Sequence, residues 1–493
     1  MYFFFFILTD SYSYCSDFKF INSTEIKIGV TAFPENFDPI KAWNFQHFHI
    51  IQCLYQTLIR VNENGTLVGD IAERWLISSD KKTYTFYLNK NIKFHNGEPL
   101  TAYDAAWSLS KHFWSESKSV TASYLLEILA NSEKVKKNII HPSIEVIDKY
   151  TLKFHLKKPY PPFNYILSIP SFSIIKKDKN TLIGSGPFKI LETNNSDFLR
   201  IQKNEEYINQ KPFINKMSIH KIDPLLIRQN FDLYKSFDLL LGIPRALADK
   251  VNISNEFELN KINSLTFTHI FFNMKKRHFR DKLKRKTIAL TLQKSFKNIH
   301  RISKFYQYNP HFFPKGLMPL EYYDIKKINY ENDRLLNFNK TLKIICQKHY
   351  FNDDMIDIIN KDFLSYGIKL DWIFVGSELL TVINKYDYDL LIVSYMGNFP
   401  DPDGYLDPLR KNGILNFGNT PSSKLLKSLK DFRFIQDPAF RLQNYSNAFK
   451  IFEDEYYLIP LFQASFPIVR KKNIILPIAK YRYESELWKI NRN

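Results

Sequence analysis

Gly69-Asp70-Ile71-Ala72-Glu73-Arg74-Trp75 opens a stretch that continues through Thr83-Tyr84-Thr85-Phe86-Tyr87-Leu88. It then runs through Ile92-Lys93-Phe94-His95-Asn96-Gly97-Glu98-Pro99-Leu100 into Thr101-Ala102-Tyr103-Asp104-Ala105-Ala106-Trp107. Tyr84, Phe86 and Leu88 alternate with Thr85 and Tyr87, the period of a half-buried strand. Asn96-Gly97 is a turn pair, because Gly accepts positive φ without cost and Asn nearly so. Thr101 and Asp104 have capping-box spacing: the hydroxyl can accept an amide of the first helical turn, and the carboxylate can reach back. The reading is strand, turn, strand, turn and a capped helix from about Ala102 to His112, a compact α+β unit.

Working outward, the composition sets bounds. The 493 residues are 44% hydrophobic and 24% charged, enough for about two or three domains with real cores. No run approaches the roughly 18–20 apolar residues of a membrane span. The many Phe, Tyr, Ile, Lys and Asn are read as compositional bias rather than as base-stacking platforms. Net charge is +19. Its basic clusters (Lys134–Lys137, Lys176–Lys179, Lys275–Lys286) do not repeat and sit in no nucleic-acid module, so the charge is assigned to solvated faces. Cys15, Cys53 and Cys346 offer no CxxC pair and no zinc spacing. Cys53 falls in an apolar helical pattern and reads as a small core residue. Residues 1–20 begin with an apolar run and then turn polar, which resembles the apolar part of a secretory signal, although no Lys or Arg precedes Lys19.

Further along, Glu25 to Val30 reads as an opening strand, and a helix is expected from about His47 to Ile59. His47 and His49, spaced i,i+2, would point to different helix faces; one surface and one packed histidine is expected, rather than a metal pair. Ile144–Asp148 and Tyr150–Leu156 form a hairpin around an Asp-Lys turn. Gly184-Ser185-Gly186-Pro187-Phe188 lacks the loop-to-helix continuation of a phosphate cradle, and its glycines are read as letting the chain cross between domains. Phe267–Asn273 is strand-like, and a basic amphipathic helix carrying Arg285 follows. Asp387–Ser394 reads as a buried strand, and residues 441–462 as a helix and a strand.

The ordered set Asp70-Ile71-Ala72-Glu73-Arg74-Trp75, Lys93 to Asp104, Gly184 to Phe188 and Tyr395-Met396-Gly397-Asn398-Phe399-Pro400-Asp401-Pro402 resembles the oligopeptide/dipeptide/nickel family of solute-binding proteins of bacterial ABC transporters. The resemblance spans residues 25 to 490, weakest at 320–345. It implies an α/β fold: a two-lobed periplasmic-binding-protein clamp of type II, large peptide-binding cluster, with an extra α+β domain inserted in lobe I. By that pattern lobe I takes residues 21–50, 183–262 and 463–493, the insertion 51–182 and lobe II 263–462. The implied activity is capture of oligopeptides or a similar small solute in an interlobe cleft, without catalysis, cofactor or structural metal. Delivery to the permease subunits of an ABC importer follows, from the periplasm, by a monomer that does not bind nucleic acid.

Carried over position by position, the family's ligand-contacting segments fall on Trp43, Asn44 and Phe45 and on Ser394, Tyr395, Met396, Gly397 and Asn398. Trp107 falls where an aromatic lines the cleft. Core packing is the alternative for Trp43 and Trp107, and a turn for Gly397. Peptide binders commonly place Asp where Asn398 stands, to pair with the ligand ammonium. The departure points to blocked, modified or less charged peptides, since Asn carries no charge; Ile383 and Ile392 replace basic positions. Two competing functions remain. One is a different solute such as a chelated metal, for which His47, His49 or His95 would matter. The other is a ligand sensor not tied to transport; such regulators carry an N-terminal helix-turn-helix, and the resemblance already begins near residue 25.

Overall fold

The computed structural model describes residues 25–42, 44–62, 65–117, 119, 122–179, 181–249, 252–323, 340–347, 350–376, 379, 383–397, 399–406, 423–477 and 486–492. The signal-like segment, Trp43 and Asn398 lie outside them.

The quoted stretch supplies two strands of a four-stranded antiparallel sheet, in the order Ala72–Ile77, Thr83–Leu88, Thr151–His155, Ile144–Asp148. Tyr84, Phe86 and Leu88 are buried, and Phe86 meets Phe154 edge-on at 5.7 Å. Gly97 adopts φ +88° at the turn. The expected second strand reduces to a single bridge, Lys93 to Pro99, because proline has no N–H with which to extend a ladder. The helix runs Ala102–Ser110, with a 3-10 turn Lys111–Phe113 completing the expected span. Both halves of the capping box form: the Asp104 amide donates to Thr101 Oγ1 (3.4 Å) and the Thr101 amide to Asp104 Oδ2 (2.9 Å). Asp70 ties this unit to the segment leaving the first helix by accepting from Gln56 Nε2 (2.7 Å) and from the Thr57 amide (2.9 Å).

That first helix is Phe45–Leu54, not about His47 to Ile59. Asn44 caps it by accepting from the His47 amide (2.9 Å), and Tyr55 is already extended. Both His47 and His49 are buried, because the helix is packed on several sides, so the expected surface histidine is a core one. The chain leaves this layer at Leu54–Tyr55 and returns beside the same point at Gly184–Gly186. A Cβ on either glycine would lie 2.2–2.6 Å from the Leu54–Tyr55 backbone, which only glycine avoids.

The main sheet runs Phe188–Thr193, Phe198–Lys203, Lys216–Lys221, Glu25–Val30, Leu239–Leu240, Leu458–Lys471, Phe257–Phe272, Leu390–Met396, Lys340–Gln347, Ile368–Val375. Two strands, Phe257–Phe272 and Leu458–Lys471, are long enough to belong to both lobes. They pair antiparallel from Phe257 with Lys471 to Phe271 with Leu458. Their register shifts between Asn263 and Phe267 and again after Thr268, so the ladder is interrupted midway. Glu25–Val30 pairs in parallel with Lys216–Lys221 and Leu239–Leu240 in one lobe. Lys340–Gln347 pairs in parallel with Ile368–Val375 and Leu390–Met396 in the other.

In the second lobe the helix Lys282–Ile302 packs on Asp353–Leu364. Thr287 and Thr291, where the resembled family has small Ala, are buried. Their hydroxyls donate to the carbonyls of Leu283 (3.0 Å) and Thr287 (2.8 Å) on the preceding turn. Arg285 is also buried, donating to the carbonyls of Phe279 (2.8 Å) and Glu455 (2.8 Å). Cys53 and Cys346 are free and buried, and burial holds the Cys346 thiol up at about 12.

Candidate functional site

In an open parallel sheet, ligands collect outside the carboxyl ends of the strands. Here both lobes turn those ends toward each other. In the first lobe the edge comprises the segment after Val30 and the segment after Leu240. Gln46 joins them: its Oε1 accepts from the amides of Thr31 (2.6 Å) and Ala32 (3.0 Å), and its Nε2 donates to Thr31 Oγ1 (2.7 Å). Gly242, at φ +77°, packs so tightly that a Cβ would fall 2.3 Å from Gln46 Nε2. Past it comes Pro244-Arg245. In the second lobe the edge comprises Tyr350, just beyond Gln347, and Ser394 to Gly397 at the end of Leu390–Met396.

Arg245 is where the two edges meet. It is 7% exposed, and its guanidinium carbon lies 5.7–5.9 Å from the ring centres of Tyr306, Tyr350, Phe462 and Phe466. Its Nε is buried and has no hydrogen-bond partner. The Tyr306 hydroxyl, beside the guanidinium, donates to the Tyr350 carbonyl; burial pushes its pKa up to about 12 against the opposing pull of Arg245. The Tyr350 hydroxyl accepts from the Ser394 amide (3.2 Å), and Ser394 Oγ meets Thr268 Oγ1 at 2.5 Å. Phe45 is half-buried and stacks on Phe466, with ring centres 4.1 Å apart and 25° between planes. Phe45 and Ser394, singled out from the sequence, therefore share one neighbourhood with Arg245.

The other sequence-derived residues have different surroundings. Asn44 spends its side chain on the helix cap. Tyr395 is buried and stacks on His269 at 5.1 Å, while Met396 packs against the first-lobe core. Gly397 is buried against Tyr405, whose ring would be 2.2 Å from a Cβ, so close ring approach demands glycine there. Trp107 is half-buried, edge-on to Trp114 at 5.4 Å, and packs against the first-lobe core. Ile383 and Ile392 are core residues. His95 binds the Gly186 carbonyl (3.1 Å), and burial lowers its pKa to about 4. Among the described residues no group of three His, Cys, Asp or Glu is placed to hold a metal ion.

At the rim, the carboxylates nearest position 398 are engaged by the protein itself. Asp401 receives Arg441 through both terminal nitrogens (2.5 and 2.6 Å). Asp403, fully buried, accepts from Arg433 Nε (2.9 Å) and from the Tyr160 hydroxyl; Arg433 also pairs with Glu127. Tyr160 and Glu127 lie with the four-stranded sheet, and Asp403 and Arg433 lie with the second lobe, so this network ties the two sides together. Burial first, then the Asp403 charge, raises the Tyr160 pKa well above its ordinary value. Gln436 Nε2 adds a bond to the Pro159 carbonyl (3.2 Å).

Sequence reasoning missed Arg245, Tyr350 and the Asp403 network. A weak signal existed for the first: a cation directly after a buried apolar run and a Gly-Ile-Pro turn.

Two lobes joined by two continuous strands, with carboxyl edges facing across a cleft, define a solute-binding clamp of type II. Residues 66–417 match the profile of "Bacterial extracellular solute-binding proteins, family 5 Middle", and the chain belongs to that family. It is 24% identical over 483 residues to the probable D,D-dipeptide-binding periplasmic protein DdpA of Escherichia coli, covering 91% of this chain and 90% of that one. The periplasmic murein peptide-binding protein MppA of Escherichia coli is 22% identical over 464 residues (87% of this chain, 86% of that one). Its solved structure superposes with a TM-score of 0.76 at 20% identity, covering 95% of this chain and 98% of that one. The Helicobacter pylori binding protein DppA, solved with the peptide STSA, gives a TM-score of 0.76 at 19% identity, covering 95% and 99%. No described helix is long and apolar enough to cross a membrane.

Proposed function

We propose that the protein is an exported binding protein that captures oligopeptides, or a closely related small solute, between its lobes and hands them to the permease of an ABC importer. It acts outside the inner membrane, as a monomer, and performs no chemistry. The observation that carries this is the facing of the two carboxyl edges around Arg245, Tyr350 and Ser394, on a chain whose relatives bear peptide-binding names along most of their length. The ligand backbone would lie against the Ser394–Gly397 segment as an added extended strand. The midway register shift in the two long strands supports a hinge near residues 263–267, consistent with lobe I at 21–50, 183–262 and 463–493, an insertion at 51–182 and lobe II at 263–462. Because Asp401 and Asp403 are both engaged by arginines, neither stands in for the acid that peptide binders place at position 398.

Native mass spectrometry of protein purified without denaturation tests this. A ladder of released masses that resolves into short peptides is expected. A single non-peptide mass or a metal chelate would overturn it.

A further inference from the structure

The two long strands carry a second pocket on the side away from the cleft floor. In their ladder Ile262 pairs with Phe466, and Lys261 with Pro467. Paired residues share a face and successive residues alternate. Phe466, with Phe45 stacked on it, therefore marks one face, and Lys261 lies on the other. Gln307 lies with Lys261: it pairs with Gln463, which alternation puts on the face of Pro467, whereas Tyr306, beside Arg245, pairs with Ala464. Gln307 Nε2 also donates to Ser465 Oγ (3.2 Å), on that same reverse face.

Lys261 and Gln307 line a pocket of about 630 Å³ together with the end of the helix Lys282–Ile302 and the loop after it. The volume falls within the roughly 300–1,000 Å³ of small-molecule sites. Its charge is one-sided. Lys261, Arg301, Lys304 and Lys315 border it, all four are exposed, and none forms an ion pair with a described residue. The bordering carboxylate, Asp249, accepts from the Ser303 hydroxyl, and burial raises its pKa. A concave wall of one sign focuses its field and concentrates small anions. A phosphoryl group brings close to two charges and three acceptor oxygens, enough to engage several of these cations at once, where a carboxylate brings one charge and two oxygens. The cations come from both sides of the ladder. Lys261 precedes the register shift after Asn263, whereas Arg301, Lys304 and Lys315 belong to the second lobe.

We propose that this pocket binds a small soluble phosphorylated molecule, whose phosphoryl oxygens bridge Lys261 to Arg301 and Lys304. The site is on the reverse face from the cleft floor and does not rest on the peptide reading.

The test is titration calorimetry of the full chain with inorganic diphosphate, at about 20 mM salt to limit screening. Wild type is expected to bind it saturably. K261Q and K304Q are each expected to weaken binding at least about threefold, and the double variant at least about tenfold. K134Q/K136Q removes the same charge from an exposed cluster elsewhere and is expected to change binding less than about twofold. Equal weakening by the two double variants overturns the proposal, because it marks diffuse attraction to a chain of net charge +19. Weakening by only one of the two single variants overturns the bridge. Absence of saturable diphosphate binding overturns the site, and flotation on phosphatidylglycerol vesicles that is lost in K261Q/K304Q would then assign these cations to a membrane surface.

Discussion

The rim and the floor of the cleft both bury guanidinium groups, but they treat them differently. At the rim, Arg433 and Arg441 meet Asp403, Glu127 and Asp401 from the same chain. At the floor, Arg245 meets Tyr306, Tyr350, Phe462 and Phe466. The rim is neutralised within the chain and joins the unit built on the four-stranded sheet to the second lobe, whereas the floor sets its cation among aromatic rings. The difference separates a guanidinium held by ion pairs from one held mainly by ring contacts.

The largest effect is expected where the rim is broken. Arg433→Met takes the guanidinium away from Asp403 in a fully buried position. A loss of about 3–5 kcal/mol in urea unfolding is expected, with much of it recovered in the Asp403→Asn/Arg433→Met double variant. A loss below about 1 kcal/mol would show that the network carries little.

Lowering the pH creates new buried cations at histidines whose pKa burial holds down. Burial depresses the pKa of His49, His112 and His269 to about 3. Their ordinary value is about 6.5, so below that pH the unfolded chain binds more protons than the folded one. Stability is therefore full above about 6.5 and falls as the pH drops toward 3. Roughly 1 kcal/mol per histidine, about 3 in all, is expected to go over the first full unit. Unfolding midpoints at pH 7.0 and 5.5 check this; identical midpoints would contradict it.

The smallest effect sharpens the comparison. Arg245→Met removes a cation that pairs with no carboxylate among the described residues, so stability of the ligand-stripped protein is expected to change by less than about 1 kcal/mol or to rise. A loss like that of Arg433→Met would place Arg245 with the rim arginines.

What the sequence revealed follows the range of the interactions involved. The Thr101–Asp104 capping box and the Asn96-Gly97 turn are local, and both were legible. The Phe257–Phe272 and Leu458–Lys471 strands were read only in their apolar second-lobe parts, because their first-lobe halves are polar and held by each other across the sheet. The burial of both His47 and His49 was missed, since helix periodicity assumes one solvent face and this helix is covered on several sides. Family resemblance placed Phe45 and Ser394 in the neighbourhood where the lobes meet. Arg245 was invisible because its surroundings come from four aromatic residues far along the chain, and no local pattern encodes them.

The most direct measurement is a crystal structure of the protein with a co-purified or alanine peptide bound. The expected result is a peptide lying between the two carboxyl edges, its backbone along Ser394–Gly397. A ligand seated elsewhere, with Arg245 still enclosed by its four rings, would contradict this.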